Sequence, residues 1–218
     1  MKVKNLIALF SAILFLAAGS AKASEIVLGS APNLQTVPIL VAEAKGYFRE
    51  EGVKIKFVKF VSGRRALEAL IGGQLDIAFM SEYPVAVASL RQQKNFSMIS
   101  TLSRYLANRL ISKGSIGFKT LKDLEGKKIG TTVGSNTEFF TERLLKRSGI
   151  KVEVLNVSPP DIVPALARGD IDAGVMFPDF YPSAQKTLGA DYREFKSDAY
   201  VAQFVLSAST EMLTKRAA

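Results

Sequence analysis

Four short stretches hold the residue types that could do chemistry: Ser30-Ala31-Pro32-Asn33, Met80-Ser81-Glu82-Tyr83, Gly134-Ser135-Asn136-Thr137 and Phe177-Pro178-Asp179-Phe180. Every group is rich in small hydroxyl or amide side chains, or in aromatics. The chain contains no histidine and no cysteine. That excludes Ser-His-Asp and Cys-His nucleophiles, thiolate metal sites and disulfides. What remains is binding. Free N–H groups at a helix start, flanked by small polar side chains, suit an anion. Glu82 and Asp179 could hold a cationic group or stand on a solvated rim. Arg64, Arg65 and Arg104 are possible anion clamps, because guanidinium forks match carboxylate, sulfonate or phosphate; surface placement is the alternative. The ligand-binding candidates are Ser30, Asn33, Ser81, Glu82, Gly134, Ser135, Asn136, Thr137, Phe177 and Asp179, with no catalytic residue, metal ligand or cofactor. For Ser81, Ser135 and Thr137, plain helix capping stands beside ligand contact. Phe177 and Phe180 could equally be core.

These stretches take their meaning from the elements before them. ALIGGQLDIA at 69–78 is echoed by ALARGDIDAG at 165–174. The echo extends further: EGVKIKFVKFVSG around Gly52 matches SGIKVEVLNVSPP around Gly149, and EIVLGSAPN from Glu25 matches KKIGTTVGSN from Lys127. A period near 96 is too long for a solenoid and implies two similar bodies. Helix-ending glycines followed by alternating apolar residues read as helix then strand. The first body is expected as strand 26–30, helix 37–48, strand 53–60, helix 63–71 and strand 75–79. The second is strand 127–132, helix 136–148, strand 151–157, helix 160–168 and strand 171–176. Helix 84–91 and strands near 96–102 and 106–112 lie between them, and 200–209 reads as a late strand. Alternating strands and helices imply parallel sheets, whose ligands sit beyond the strands' carboxyl ends. All four polar stretches fall there. Asp76 and Asp172, the repeat's carboxylates, read as turn stabilisers.

Composition limits the setting. Apolar residues make up 48% and charged residues 22% of 218, the balance of a globular protein. Lys2 and Lys4 precede the apolar run Leu6–Ala18, and Ala21-Lys22-Ala23 fits a cleavage site, so residues 1–23 read as a secretory signal peptide. Without a Cys at the cleavage point a lipoprotein is excluded. Removing the leader lowers the net charge from +9 by three lysines to +6. That charge favours anions. No basic patch interleaved with aromatics points to nucleic acid; Lys127-Lys128 and Lys146-Arg147 read as solvated faces.

The succession AEAKGYFREEGVKIKFVKFVSG, ALIGGQLDIAF, DLEGKKIGTTVGSNTEFFTERLLKRSGI, ALARGDIDAGVMFPDF resembles periplasmic solute-binding proteins of ABC importers, in the nitrate/sulfonate/taurine group related to thiamine-precursor binders. The resemblance implies an α/β, two-lobed Venus-flytrap fold, each lobe a mostly parallel sheet flanked by helices. Lobe 1 would be residues 24–103 completed by 204–218, and lobe 2 residues 104–203. It also implies a periplasmic monomer that holds a small solute in the cleft and delivers it to a membrane permease. Family members are usually longer, so a truncated first lobe and poor solubility are expected. They usually place a Trp where Phe177 stands. Two other readings remain: an enzyme on the same fold, disfavoured by the missing His and Cys, and a secreted ligand sensor.

Overall fold

In the computed structural model, residues 25–106 and 108–215 are described. The leader expected over residues 1–23 lies outside them. The strands form two separate five-stranded sheets. The first contains β1 (Glu25–Ser30), β2 (Lys54–Lys59), β3 (Ile77–Ser81), β4 (Phe96–Tyr105) and β10 (Ala202–Ser209). The second contains β5 (Arg109–Lys113), β6 (Lys128–Thr131), β7 (Glu153–Asn156), β8 (Ala173–Val175) and β9 (Tyr192–Lys196). Their orders, β2-β1-β3-β10-β4 and β7-β6-β8-β5-β9, are the same pattern written twice. The chain passes between sheets twice, from β4 to β5 and from β9 to β10.

Each sheet is parallel where the repeat supplies its strands: β1 with β2 and β3, β6 with β7 and β8. The linking strands join antiparallel: β10 to β3 and β4, β5 to β8 and β9. The helices are α1 (Val37–Lys45), α2 (Tyr47–Glu50), α3 (Gly63–Ile71), α4 (Glu82–Leu90), α5 (Asn136–Ser148), α6 (Ile162–Arg168), α7 (Tyr181–Leu188) and α8 (Thr210–Lys215). The single helix expected over 37–48 is two, because Gly46 takes a left-handed φ of 80° and ends α1 there. α7 and β9 had no counterpart in the sequence reading.

The repeated residues do the same work in both halves. Asp76 accepts the Val27 N–H at 2.8 Å through Oδ2, and Asp172 accepts the Lys128 N–H at 2.9 Å. Each carboxylate ties the turn before one strand to the start of its neighbour, the stabilising role expected of both. Gly29 and Gly130 also correspond. A Cβ at Gly29 would strike Leu75 and Phe60, and one at Gly130 would strike Ile171 and Val157. Glycine there lets an interior strand of each sheet accept the side chains crossing over it. The helix pair α3 and α4 covers one face of the first sheet, burying Ala66, Leu67, Leu70 and Met80. In the second, α6 and α7 bury Ile162, Leu166, Ile171 and Tyr181.

Candidate functional site

The carboxyl ends of β1, β3, β6 and β8 meet in one cleft. Its wall includes Ala31, Asn33, Gln35, Gly63, Arg64, Ser81, Pro84, Ser135, Asn136, Phe177 and Pro178. The enclosed space is about 20 Å³, room for a single water. The halves are therefore closed on one another. Interlobe contacts hold them. The Leu34 N–H donates to Asp179 Oδ1 at 3.0 Å. Tyr83 stacks on Phe139 at 5.0 Å between ring centroids, and its hydroxyl donates to Glu138 Oε2 at 3.3 Å. Phe139 also meets the Tyr200 ring edge-on at 5.0 Å. Burial, then the charges of Glu138 and Glu142, pushes the Tyr83 hydroxyl up to about 12.

Five of the ten residues singled out from sequence line this space: Asn33, Ser81, Ser135, Asn136 and Phe177. They divide by what their side chains already do. Asn33 Oδ1 accepts from both the backbone N–H and the hydroxyl of Thr36, at 3.1 and 3.0 Å. Ser135 caps α5: its Oγ accepts the Thr137 N–H at 3.3 Å and donates to the Thr132 carbonyl at 2.7 Å. Ser81 precedes α4 but makes no cap bond. Asn136 is buried at the first position of α5. Ser81 and Asn136 thus point to a ligand more directly than the capping serine does.

The other five sit around the cleft. Ser30 Oγ donates to the Ala31 carbonyl and lies 3.0 Å from Thr36 Oγ1, so it braces the first loop. Thr137 Oγ1 lies in a buried hydroxyl chain, 2.8 Å from Ser135 Oγ and 3.0 Å from Thr131 Oγ1. Gly134, at φ 79°, donates its N–H to Glu138 Oε2 at 2.8 Å. Both oxygens of Glu82 are taken, by the Tyr200 hydroxyl at 2.7 Å and the Gln203 N–H at 2.9 Å. Burial first, then the bond to Glu82, drives the Tyr200 hydroxyl well above its ordinary range. Asp179 holds the two halves together, whereas Glu82 ties α4 to β10 of its own sheet and to the crossing segment before it.

Two site residues emerge from the structure. Gln35 is buried in the cleft wall. Its signal in the sequence was an amide set two residues after a capping Asn, inside the first polar loop. Arg64 is the clamp candidate that reaches the cleft, whereas Arg104 is exposed and Arg65 pairs with Glu68 at the surface. The described residues contain no cluster of carboxylates able to hold a metal ion.

Comparisons with known proteins identify the family and the fold. A taurine-binding periplasmic protein of Escherichia coli is 34% identical over 146 residues, which cover 64% of this chain and 44% of that protein. A 4-amino-5-hydroxymethyl-2-methylpyrimidine phosphate synthase of Aspergillus parasiticus is 29% identical over 140 residues, covering 63% of this chain and 41% of the synthase. The chain thus spans less than half the length of these curated relatives. An alkanesulfonate-binding protein from Xanthomonas axonopodis pv. citri, bound to MOPS, superposes with a TM-score of 0.75 at 22% identity. That match covers 89% of this chain and 68% of the other. The fold is therefore that of the periplasmic binding proteins, and relatives of both binding and synthase type exist. The sequence model of one family matches residues 33–217, and the chain belongs to that family, described as NMT1/THI5 like.

Proposed function

We propose that the protein is an extracytoplasmic solute-binding protein that captures a small anion of the sulfonate class for an ABC importer. Residues 24–103 with 204–218 act as one lobe and residues 104–203 as the other, hinged where the chain passes between sheets. The observation that carries the reading is the convergence of Ser81, Asn136 and Gln35 on one cleft at the carboxyl ends of both sheets. Their polar groups are not spent on capping, and the start of α5 lies beside them. Helix-start N–H groups and amide donors bind an oxyanion without catalysing its reaction. Because the closed cleft has room for about one water, the lobes open to admit the solute and shut on it. The closed form is what a membrane permease receives, outside the cytoplasm after removal of the leader.

Thermal-shift and calorimetric titration with taurine, ethanesulfonate, nitrate and an aminopyrimidine test the reading. A ligand specific to the native state at 100-fold its Kd adds about 2.7 kcal/mol of stability. Taurine or ethanesulfonate should produce such a shift. Asn136→Ala should weaken its binding about tenfold, the effect of one hydrogen bond to a charged group. A melting point unmoved by any sulfonate defeats the proposal. Selective binding of the pyrimidine would favour the second reading, which the synthase relative motivates. That chemistry, as the family resemblance implies it, depends on His and Cys, and these 218 residues contain neither.

A further inference from the structure

Beside the closed cleft lies a second and much larger cavity, about 430 Å³ and open along one side. It runs between α3 and α4. Arg64, Leu67 and Ile71 line one wall, and Pro84, Val87 and Ala88 line the other. Val133 and Gly134 of the opposite lobe close one end. Arg64 and Pro84 border both this groove and the cleft. They form the partition between an enclosed space and an open one.

The two members of that partition differ in freedom. Pro84 is buried within α4, and its ring has no chain to swing. Arg64 has a long stem with many rotamers. The stem reaches lobe 2 and lies against Gly134, where a Cβ would strike Arg64 Cδ. A bare glycine is therefore its seat. Arg64 is kept there by the bond from its Nη1 to Glu68 at 2.7 Å, in a pair whose side chains are 34% and 44% exposed. Ion pairs so open to water are among the weakest contacts in a folded protein. Its Nε is buried and has no hydrogen-bond partner among the described residues. A buried donor left unpaired is unfavourable. Turning Arg64 out into the groove thus loosens one weak pair and returns Nε to water. Parting the lobes instead breaks the Tyr83–Phe139 stack, the Tyr83–Glu138 bond and the Leu34–Asp179 bond together. The side chain is the easier of the two to move.

We propose that Arg64 is a gate. It opens the cleft to the groove while the lobes stay shut, and water leaves by that path as the lobes close. Such a path is needed because the closed cleft has room for about one water, so the rest of the water in an open cleft has to be expelled. The gate rests on the closing cleft proposed above, whatever solute that cleft holds.

The chain has no cysteine, so Ser81→Cys places a single thiol in the cleft wall. Its alkylation by iodoacetamide, read as the plateau rate above the thiol's pKa, reports entry from outside. Arg64→Ala in that background should raise the rate about two- to fivefold, the factor equivalent to an exposed ion pair of about 0.5–1 kcal/mol. Adding Val87→Trp, which blocks the groove, should return the rate to that of Ser81→Cys alone or below. Ile71→Trp, from the facing wall, should do the same where the first tryptophan variant folds poorly. Small-angle scattering should give the same dimensions for every one of these proteins. A rate unchanged by Arg64→Ala overturns the gate. So does a raised rate that both groove-filling variants leave in place, or one accompanied by a wider molecule, because each puts entry through parted lobes. No outcome depends on a bound solute, so the sulfonate titrations stand or fall separately.

Discussion

α1 and α5 occupy equivalent places in the two halves, following β1 and β6, each the second strand in its sheet's order. They are built differently. α5 runs for 13 residues, starts on the Ser135 cap, carries Glu138 in its first turn and Lys146 and Arg147 in its last, and ends at Gly149. Its inner face buries Phe140, Thr141 and Leu144. α1 has nine residues, no side-chain cap bond and a left-handed glycine that stops it early. It buries Ile39 and leaves Val37, Leu40 and Val41 between 43% and 46% exposed. Near the sheet edge, β4 shows Met98, Ile99 and Leu102 to solvent as well. One topology has thus received two qualities of cover. The lesson is that strand order is set by the repeat, while cover depends on how a helix's apolar stripe is patterned and how far it runs.

The largest effect should come from trimming what α5 buries. Leu144→Ala is expected to cost about 3 kcal/mol or more, because the cavity it opens lies in a closely packed core. Leu40→Ala on α1 should stay within about 0.5 kcal/mol. Urea midpoints measure both, and equal costs would break the comparison.

The sequence exposed this architecture unevenly, and the reasons are physical. α3 at 63–71 and α5 at 136–148 were legible to the residue, because a capping serine precedes each and a glycine follows. β1 and β6 were legible from their place in the repeat. α7 and β9 were not, because α7 starts at Tyr181-Pro182 without a side-chain cap, and neither it nor β9 repeats the residues of its counterpart in the first half, α4 or β4. In the cleft, Ser81, Ser135 and Asn136 could be found because strand ends are where such folds bind. Their division into caps and free groups could not, since a hydroxyl's partner depends on loop geometry that spacing does not encode. Arg64 was one of three arginines with similar credentials. Its place in the cleft wall, with Gly134 approaching from the opposite lobe, distinguishes it.

A middle-sized effect should show where the halves agree. Asp76→Ala and Asp172→Ala each remove the acceptor of a strand-start N–H. Each should cost about 1 kcal/mol, the usual net contribution of one hydrogen bond, because the Asp172 bond is exposed and the Asp76 bond only half-buried. Near-equal losses by chemical denaturation would sharpen the comparison by confining the inequality to helix cover. A twofold disparity would mean that the poorer cover of the first half weakens its hydrogen bonds too.

The smallest effect concerns the inner side of α5, where Phe139 and Glu138 touch Tyr83 of the opposite lobe. The first half's matching contact is one bond, from the Leu34 N–H to the Asp179 carboxylate. The Tyr83 hydroxyl is raised to about 12 by burial and by Glu138, against about 10 for a free tyrosine. An acid whose pKa is higher in the folded state favours folding through its protonated form. The contribution is therefore complete below pH about 10 and disappears as pH rises through about 12. Tyr192 is also raised to about 12, by burial and by its bond to Glu194 within one lobe. Both should lose stability over the same window, which separates their roles by site rather than by pH. Tyr83→Phe should shrink the alkaline fall in the urea midpoint and, in small-angle scattering, shrink the widening of the molecule over that window. Tyr192→Phe should shrink the first and leave the second unchanged. If the two variants behave alike in scattering, the Tyr83 contact does not hold the lobes together, and α5 differs from α1 in its cover alone.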